Sequence, residues 1–273
     1  MPVIVDTHVH IYPFYDAVMA LQQGTERLRT LAGTDRNGNN ATPAFILAER
    51  SDCHFFRNAC DEPGKMLPGM TVVASPAGNA FRIVADGDLQ DAWLFPGRQV
   101  NTGERLEVLA LLTDAVIPDG IPAAETLERI HAAGGIPVLS WAPGKWWFKR
   151  GRLLEALLAP DRGFPVFTGD TALRPRGYPM PELMKRSLHR QGRVLAGSDP
   201  LPFRGEERYI GTLATVMDGT LDVSAPADSM GRLLQDTSVQ VNTAGCRAGW
   251  LTVFIRLLKN EYRRRKPAHN GGC

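Results

Sequence analysis

The first apolar run of this sequence closes on two histidines one residue apart, in Val3-Ile-Val-Asp-Thr-His-Val-His10. Along a strand, alternate residues face alternate sides. Asp6, His8 and His10 are therefore expected on one face, with Val5, Thr7 and Val9 on the other. Two imidazoles so spaced at a strand end can grip one divalent metal ion. A carboxylate of the matching kind ends a later run: in Val194-Leu-Ala-Gly-Ser-Asp-Pro200 a turn of small residues leaves Asp199 at the C-terminal end of a strand. There it can complete a metal shell or accept a proton from bound water. The competing reading of Asp199 is a turn-forming residue ahead of proline.

Two further carboxylates follow apolar runs. Glu49 ends Ala44-Phe-Ile-Leu-Ala-Glu49, and Asp170 sits in Thr168-Gly-Asp-Thr171 after the run Phe164 to Phe167. Both are candidates for catalysis, and Glu49 also for the metal shell; turn capping is an equal reading for Asp170. Asp52 and His54 follow Glu49, and Asp52 reads as a solvated loop residue.

Cations and aromatics gather after other runs. Ala142-Pro-Gly-Lys-Trp-Trp-Phe-Lys-Arg-Gly151 leads into a helical pattern and offers Lys145, Lys149 and Arg150, with Trp146, Trp147 and Phe148 as pocket walls or buried loop anchors. Such a segment can hold a phosphate or carboxylate. Arg174 and Arg176 follow Asp170, and Arg204 follows Asp199. Lys145, Arg174, Arg204 and Trp146 are the substrate-binding candidates, and they suit a small anionic substrate.

The elements that would position these groups form an alternating series. Short apolar runs bounded by turn residues read as buried parallel strands at 2–6, 44–48, 105–112, 135–140, 164–167 and 193–197. Helical patterns lie at 16–31, 122–133, 151–158 and 181–190, the second opened by Pro122 and closed by Gly134-Gly135. Strand and helix in alternation predict an α/β fold closed into a single (β/α) TIM-like barrel. The segments 33–43 and 52–76 read as irregular. Residues 249–262 set Trp250, Val253, Phe254, Leu257 and Leu258 at helical spacing, followed by Arg263-Arg-Arg-Lys266. They predict a last amphipathic helix packed on the body with a basic tail, which also suits a weak contact with a membrane surface or a protein.

Composition bounds the function classes. A net charge of +2 over 273 residues gives no reason to expect a polyanionic partner, so no nucleic acid is expected. The four cysteines form no CxxC pair and read as reduced thiols. No signal-peptide pattern and no bilayer-length apolar run is present, and a cytoplasmic protein is expected.

Asp6-Thr-His-Val-His10 and Gly197-Ser-Asp199 resemble the opening and closing motifs of the polymerase and histidinol phosphatase (PHP) superfamily. Phe95-Pro-Gly-Arg-Gln-Val100 with Arg105 to Leu111, and Gly134-Gly-Ile-Pro-Val-Leu-Ser-Trp-Ala-Pro143, resemble its middle segments. The resemblance implies a distorted barrel of about seven strands spanning 1–273, and a phosphoesterase using metal-activated water. Four departures mark a degenerate site. Gln99 stands where the family has a glutamate, Glu107 falls at or near a histidine position, and Trp141 and Leu201 replace two more histidines. What survives is His8, His10 and Asp199, with Glu49 or Asp170 as additions, for one or two divalent ions (Mn, Zn or Fe). Two alternatives stand beside this expectation: a catalytically inactive PHP-like barrel that binds or assembles, and an amidohydrolase-like enzyme acting on amides or lactones.

Overall fold

The computed structural model describes residues 1–33, 41–85, 91–147, 149–159, 162–190 and 192–265. The elements in chain order are β1 (Val3–Val9), α1 (Ala17–Ala32), β2 (Thr42–Leu47), α2 (Phe55–Asp61), α3 (Pro63–Met66), β3 (Met70–Ala74), β4 (Phe81–Ala85), β5 (Ala92–Phe95) and β6 (Gly97–Asn101). There follow β7 (Glu107–Leu111), α4 (Ala123–Ala132), β8 (Ile136–Ser140), α5 (Lys149–Leu157), β9 (Phe167–Thr171), α6 (Glu182–His189) and β10 (Val194–Gly197). The chain ends with β11 (Leu213–Met217), α7 (Pro226–Gln235), β12 (Val241–Gly245) and α8 (Trp250–Arg265).

These strands do not close into the expected single barrel. They form two open sheets, one of seven strands in the order β12-β11-β1-β2-β5-β4-β3 and one of five in the order β10-β9-β8-β7-β6. The inner faces pack on each other: Val3, Val5 and Ile46 from the first sheet meet Leu109, Val138, Phe167 and Leu195 from the second. Outside, Leu21 and Leu28 of α1 cover Ile4, Phe45 and Leu47, while α4, α5 and α6 cover Val108, Ala110 and Leu139.

The two seams show why a ladder does not run across. Where β10 passes β1, side chains take the backbone groups a strand would have paired. Ala196 N donates to Thr215 Oγ1 at 2.7 Å, Thr7 Oγ1 donates to Ala196 O at 3.1 Å, and Ser198 N donates to Asp6 Oδ1 at 2.8 Å. At the other seam a single parallel bridge joins Glu49 to Arg98. Antiparallel pairs β1/β11, β11/β12, β3/β4, β4/β5, β6/β7 and β7/β8 also replace the expected all-parallel order.

The six strand expectations fall on β1, β2, β7, β8, β9 and β10, with β9 starting where the run 164–167 ends. The segment 52–76 holds α2, α3 and β3 rather than irregular chain. Most of the segment 33–43 lies outside the described residues, as do Phe148, Lys266 and Cys273. Cys60 and Cys246 are free thiols, whereas Cys53 is disulfide-bonded, which corrects the expectation of four reduced cysteines. Among the described residues no helix is long and apolar enough to cross a membrane.

Candidate metal centre

A bulge in β1 sets the site. Pairing with β2 runs Asp6 opposite Phe45 but Val9 opposite Leu47, so three residues on β1 span two on β2. One extra residue swaps the faces. Ile4 and Val9 both pack on the α1 side, and Val3 and Val5 face the second sheet. Asp6, opposite Phe45, therefore parts from His8 and His10, contrary to simple alternation. It lies buried and accepts three backbone N–H groups, from Ser198 at 2.8 Å, Gly211 at 2.9 Å and His8 at 3.2 Å. Burial raises its carboxyl to about 6 against the pull of these bonds. Asp6 thus ties the bulge to the loops after β10 and before β11.

His8 and His10 turn inward, with their Nε2 atoms 3.1 Å apart. Asp199 Oδ1 lies 3.5 Å from His8 Nε2 and 3.7 Å from His10 Nε2. The three ligand atoms fall within 4.8 Å of one another, and all three residues are buried. Asp199 adopts a left-handed φ of 49°, a conformation aspartate tolerates better than most residues, and its N–H donates to His8 O at 3.0 Å. Gly197 lets β10 come this close: a Cβ there would lie 2.5 Å from both the N and the Cβ of His8.

The donor chemistry fits a divalent ion. Burial first, then His8 and Arg50, holds His10 well below the usual imidazole range, so it is neutral, the form that ligates. Burial raises Asp199 against the attraction of His8, Arg256 and Lys145, a penalty a bound cation would remove. The rings are held from behind as metal-binding histidines usually are. Ser140 Oγ is 3.4 Å from His8 Nδ1, and Tyr12 stacks on His10 with centroids 5.5 Å apart and planes at 19°. Gln99 Oε1 lies 3.0 Å from His8 Nε2. The position is thus in the site, with a neutral oxygen. The site therefore holds a candidate His/His/Asp centre for one divalent ion.

The remaining predicted residues are placed differently. Glu49 Oε1 accepts from Phe56 N at 2.8 Å, Oε2 lies 3.3 Å from Arg98 Nη1, and the carboxyl is raised by burial to about 7. Asp170 is gripped by Arg174 Nε at 2.8 Å and Nη2 at 2.6 Å, and also by Arg247. Arg174 is thereby engaged with Asp170 and the Tyr178 carbonyl, 2.7 Å away. Trp146 is buried and donates its indole N–H to Ser140 O at 2.9 Å, fixing the loop after β8. Lys145 Nζ lies 2.5 Å from Glu107 Oε1, and both charges are felt at Asp199. Arg204 is exposed. Trp141 is buried beside Tyr178, with centroids 5.8 Å apart, and Leu201 is buried with Phe203 and Leu173. Sequence reasoning passed over Tyr12, Arg50 and Ser140, since each acts only through its proximity to His8 or His10.

No protein-family model matches the sequence, and no curated protein matches it. Among solved structures the chain is similar to PsfC from Pseudomonas syringae PB-5123, at 16% identity over 96% of this chain and 98% of that chain, with a TM-score of 0.55. This is a likeness of fold. Weaker likenesses, at 13% identity, join it to two structures of endonuclease Q. One is the lesion-specific endonuclease PfuEndoQ from Pyrococcus furiosus, with a TM-score of 0.49 over 100% of this chain and 68% of that chain. The other is endonuclease Q in complex with a 27-mer duplex substrate carrying an abasic lesion at the active site, with a TM-score of 0.46 over 86% and 57%. The duplex is a ligand of that protein; for this chain, the expectation of no nucleic-acid partner rested on net charge alone and is withdrawn.

Proposed function

We propose that this chain is a metal-dependent hydrolase acting on an anionic phosphoester. The convergence of His8 Nε2, His10 Nε2 and an Asp199 carboxylate oxygen in one buried cluster carries the reading, and the PHP resemblance of the same residues supports it. A divalent ion held by these three would supply Lewis-acid polarisation and an activated water. Around it, the chain's own groups have distinct tasks. His10 stays neutral, and His8 is held between Gln99 and Ser140. Burial keeps the Tyr12 phenol protonated, so it can donate a hydrogen bond but carry no charge. Lys145, steadied by Glu107 and part-exposed, is a cation whose charge reaches Asp199, and it is the group assigned to receive the anion. Trp141 and Leu201 offer no ligand, which favours a single ion over a cluster.

The test is a turnover screen of mono- and diester phosphates beside amides and lactones, using protein loaded with manganese, zinc or iron(II). Phosphoester hydrolysis that is absent from a His8→Ala/His10→Ala variant supports the reading. Selective turnover of lactones or amides would move it to the amidohydrolase-like alternative. No turnover by metal-loaded protein would leave a binding or assembly role.

A further inference from the structure

Helix α8 carries two apolar faces. The inner one is ordinary: Val253 is buried, Arg256 reaches Glu206, and Leu257 packs on Leu173, Leu201 and Phe203. The outer one is Leu251, Phe254, Ile255 and Leu258 with Trp250 at its edge, where the indole also meets Tyr178 at 5.6 Å; exposure runs from 42% at Ile255 to 72% at Leu251. At 3.6 residues per turn these five form one continuous stripe turned away from Val253 and Arg256. Lys259 falls to its side, and Arg263 turns inward over the Phe203 ring. Burying five such side chains completely would remove about 600 Å² of largely apolar surface, the upper end of what a monomer leaves in one patch. Doubled, about 1,200 Å² reaches the size of a specific dimer interface.

We propose that this face is covered by a second copy of the chain, through an antiparallel α8–α8 contact about a twofold axis. The spacing is self-complementary. About a centre near Arg256, Phe254 of one copy meets Leu258 of the other, and Leu258 meets Phe254 in return. The stripe itself carries no charge from Trp250 to Leu258, so like charges do not meet at its centre. The contact would lie directly behind the loop that bears Asp199, because the inner face of the same helix holds Leu201 and Glu206.

The experiment is sedimentation velocity on the full chain, alone and with a Phe254→Glu/Leu258→Glu variant and a Val223→Glu control, all checked by far-UV circular dichroism. Val223 is exposed elsewhere on the surface. The expected result is twice the chain mass of 29.9 kDa for wild type and control, and the single-chain mass for the double variant with an unchanged spectrum. A wild type that stays at the single-chain mass up to hundred-micromolar concentration overturns the proposal. So does a dimer that survives the double substitution. A monomer that instead pellets with phosphatidylserine vesicles would assign the face to lipid and overturn it equally.

Discussion

Arg256, in the middle of the last helix, grips the Glu206 carboxylate with Nη2 at 2.6 Å and Nε at 3.0 Å, and both side chains are buried. Glu206 passes this hold to the loop after β10, accepting from Leu201 N at 3.1 Å, while Tyr15 Oη donates to Leu201 O at 2.6 Å. The residue two before Leu201 is Asp199. A helix distant in sequence thus braces the loop that carries the candidate ligand Asp199 through one buried ion pair. Removing one partner strands a buried charge, so Arg256→Met should cost roughly 3–5 kcal/mol. A Glu206→Leu/Arg256→Met pair should recover most of it. Denaturant melts of the three proteins check this, and equal losses in the single and double variants would show that packing, not charge, holds the loop.

Gly197→Ala should open the seam between β10 and β1. The new methyl would sit 2.5 Å from His8 backbone and 3.0 Å from Asp6 Oδ1. Overpacking of this kind costs about 1–3 kcal/mol, and here the displaced group is a ligand strand. Calorimetric titration with zinc should show weakened binding even where the variant stays folded. Unchanged affinity would mean that β10 can retreat without moving His8.

Glu49 gives stability a pH dependence of definite sign. Its folded carboxyl is raised to about 7 from the usual 4.5. Below 4.5 it is protonated in both states. Between 4.5 and 7 the unfolded chain ionises while the folded one keeps its proton, so folding stability falls as pH rises, by at most about 3 kcal/mol. Relative to Glu49→Gln, the wild-type melting temperature should drop across that window and level off above it. A gap that widens the other way would place an ionised Glu49 against Arg98.

Lys145→Ala should leave metal content intact and raise the KM for a phosphoester by roughly tenfold or more, the loss of one charge-assisted contact. The same substitution at exposed Arg204 should change KM far less. Equal effects at the two positions would show that the anion is held at the rim rather than beside Asp199.

Much of this centre was legible because it rests on local pattern. Apolar runs ending in His8, His10 and Asp199 named strand ends, and the structure brings those three together. What the pattern could not carry was pairing. Alternation placed Asp6 beside the histidines, but a bulge is set by the neighbour strand, and it turned Asp6 to the opposite face. Strands β3, β4, β5, β6, β11 and β12 went unread, and β12 least of all could be found, because an edge strand of mostly exposed residues has no apolar run to show. The barrel expectation failed at its seams for a related reason. Thr7, Thr215 and Asp6 occupy backbone groups of β10 and of the turn after it, and no propensity of a threonine announces that. Glu49 follows β2 and Asp170 lies within β9, and arginines engage both: Arg98 and Arg247 from distant segments, and Arg174 from only four residues on.

The most direct test is elemental analysis of the purified protein beside a His8→Ala/His10→Ala variant, each also dialysed after incubation with manganese, zinc or iron(II). One divalent ion per chain in the wild type and none in the variant is the predicted result, given a single His/His/Asp cluster among the described residues. Wild-type protein that stays empty after each metal, or a variant that binds as much as wild type, would contradict the account.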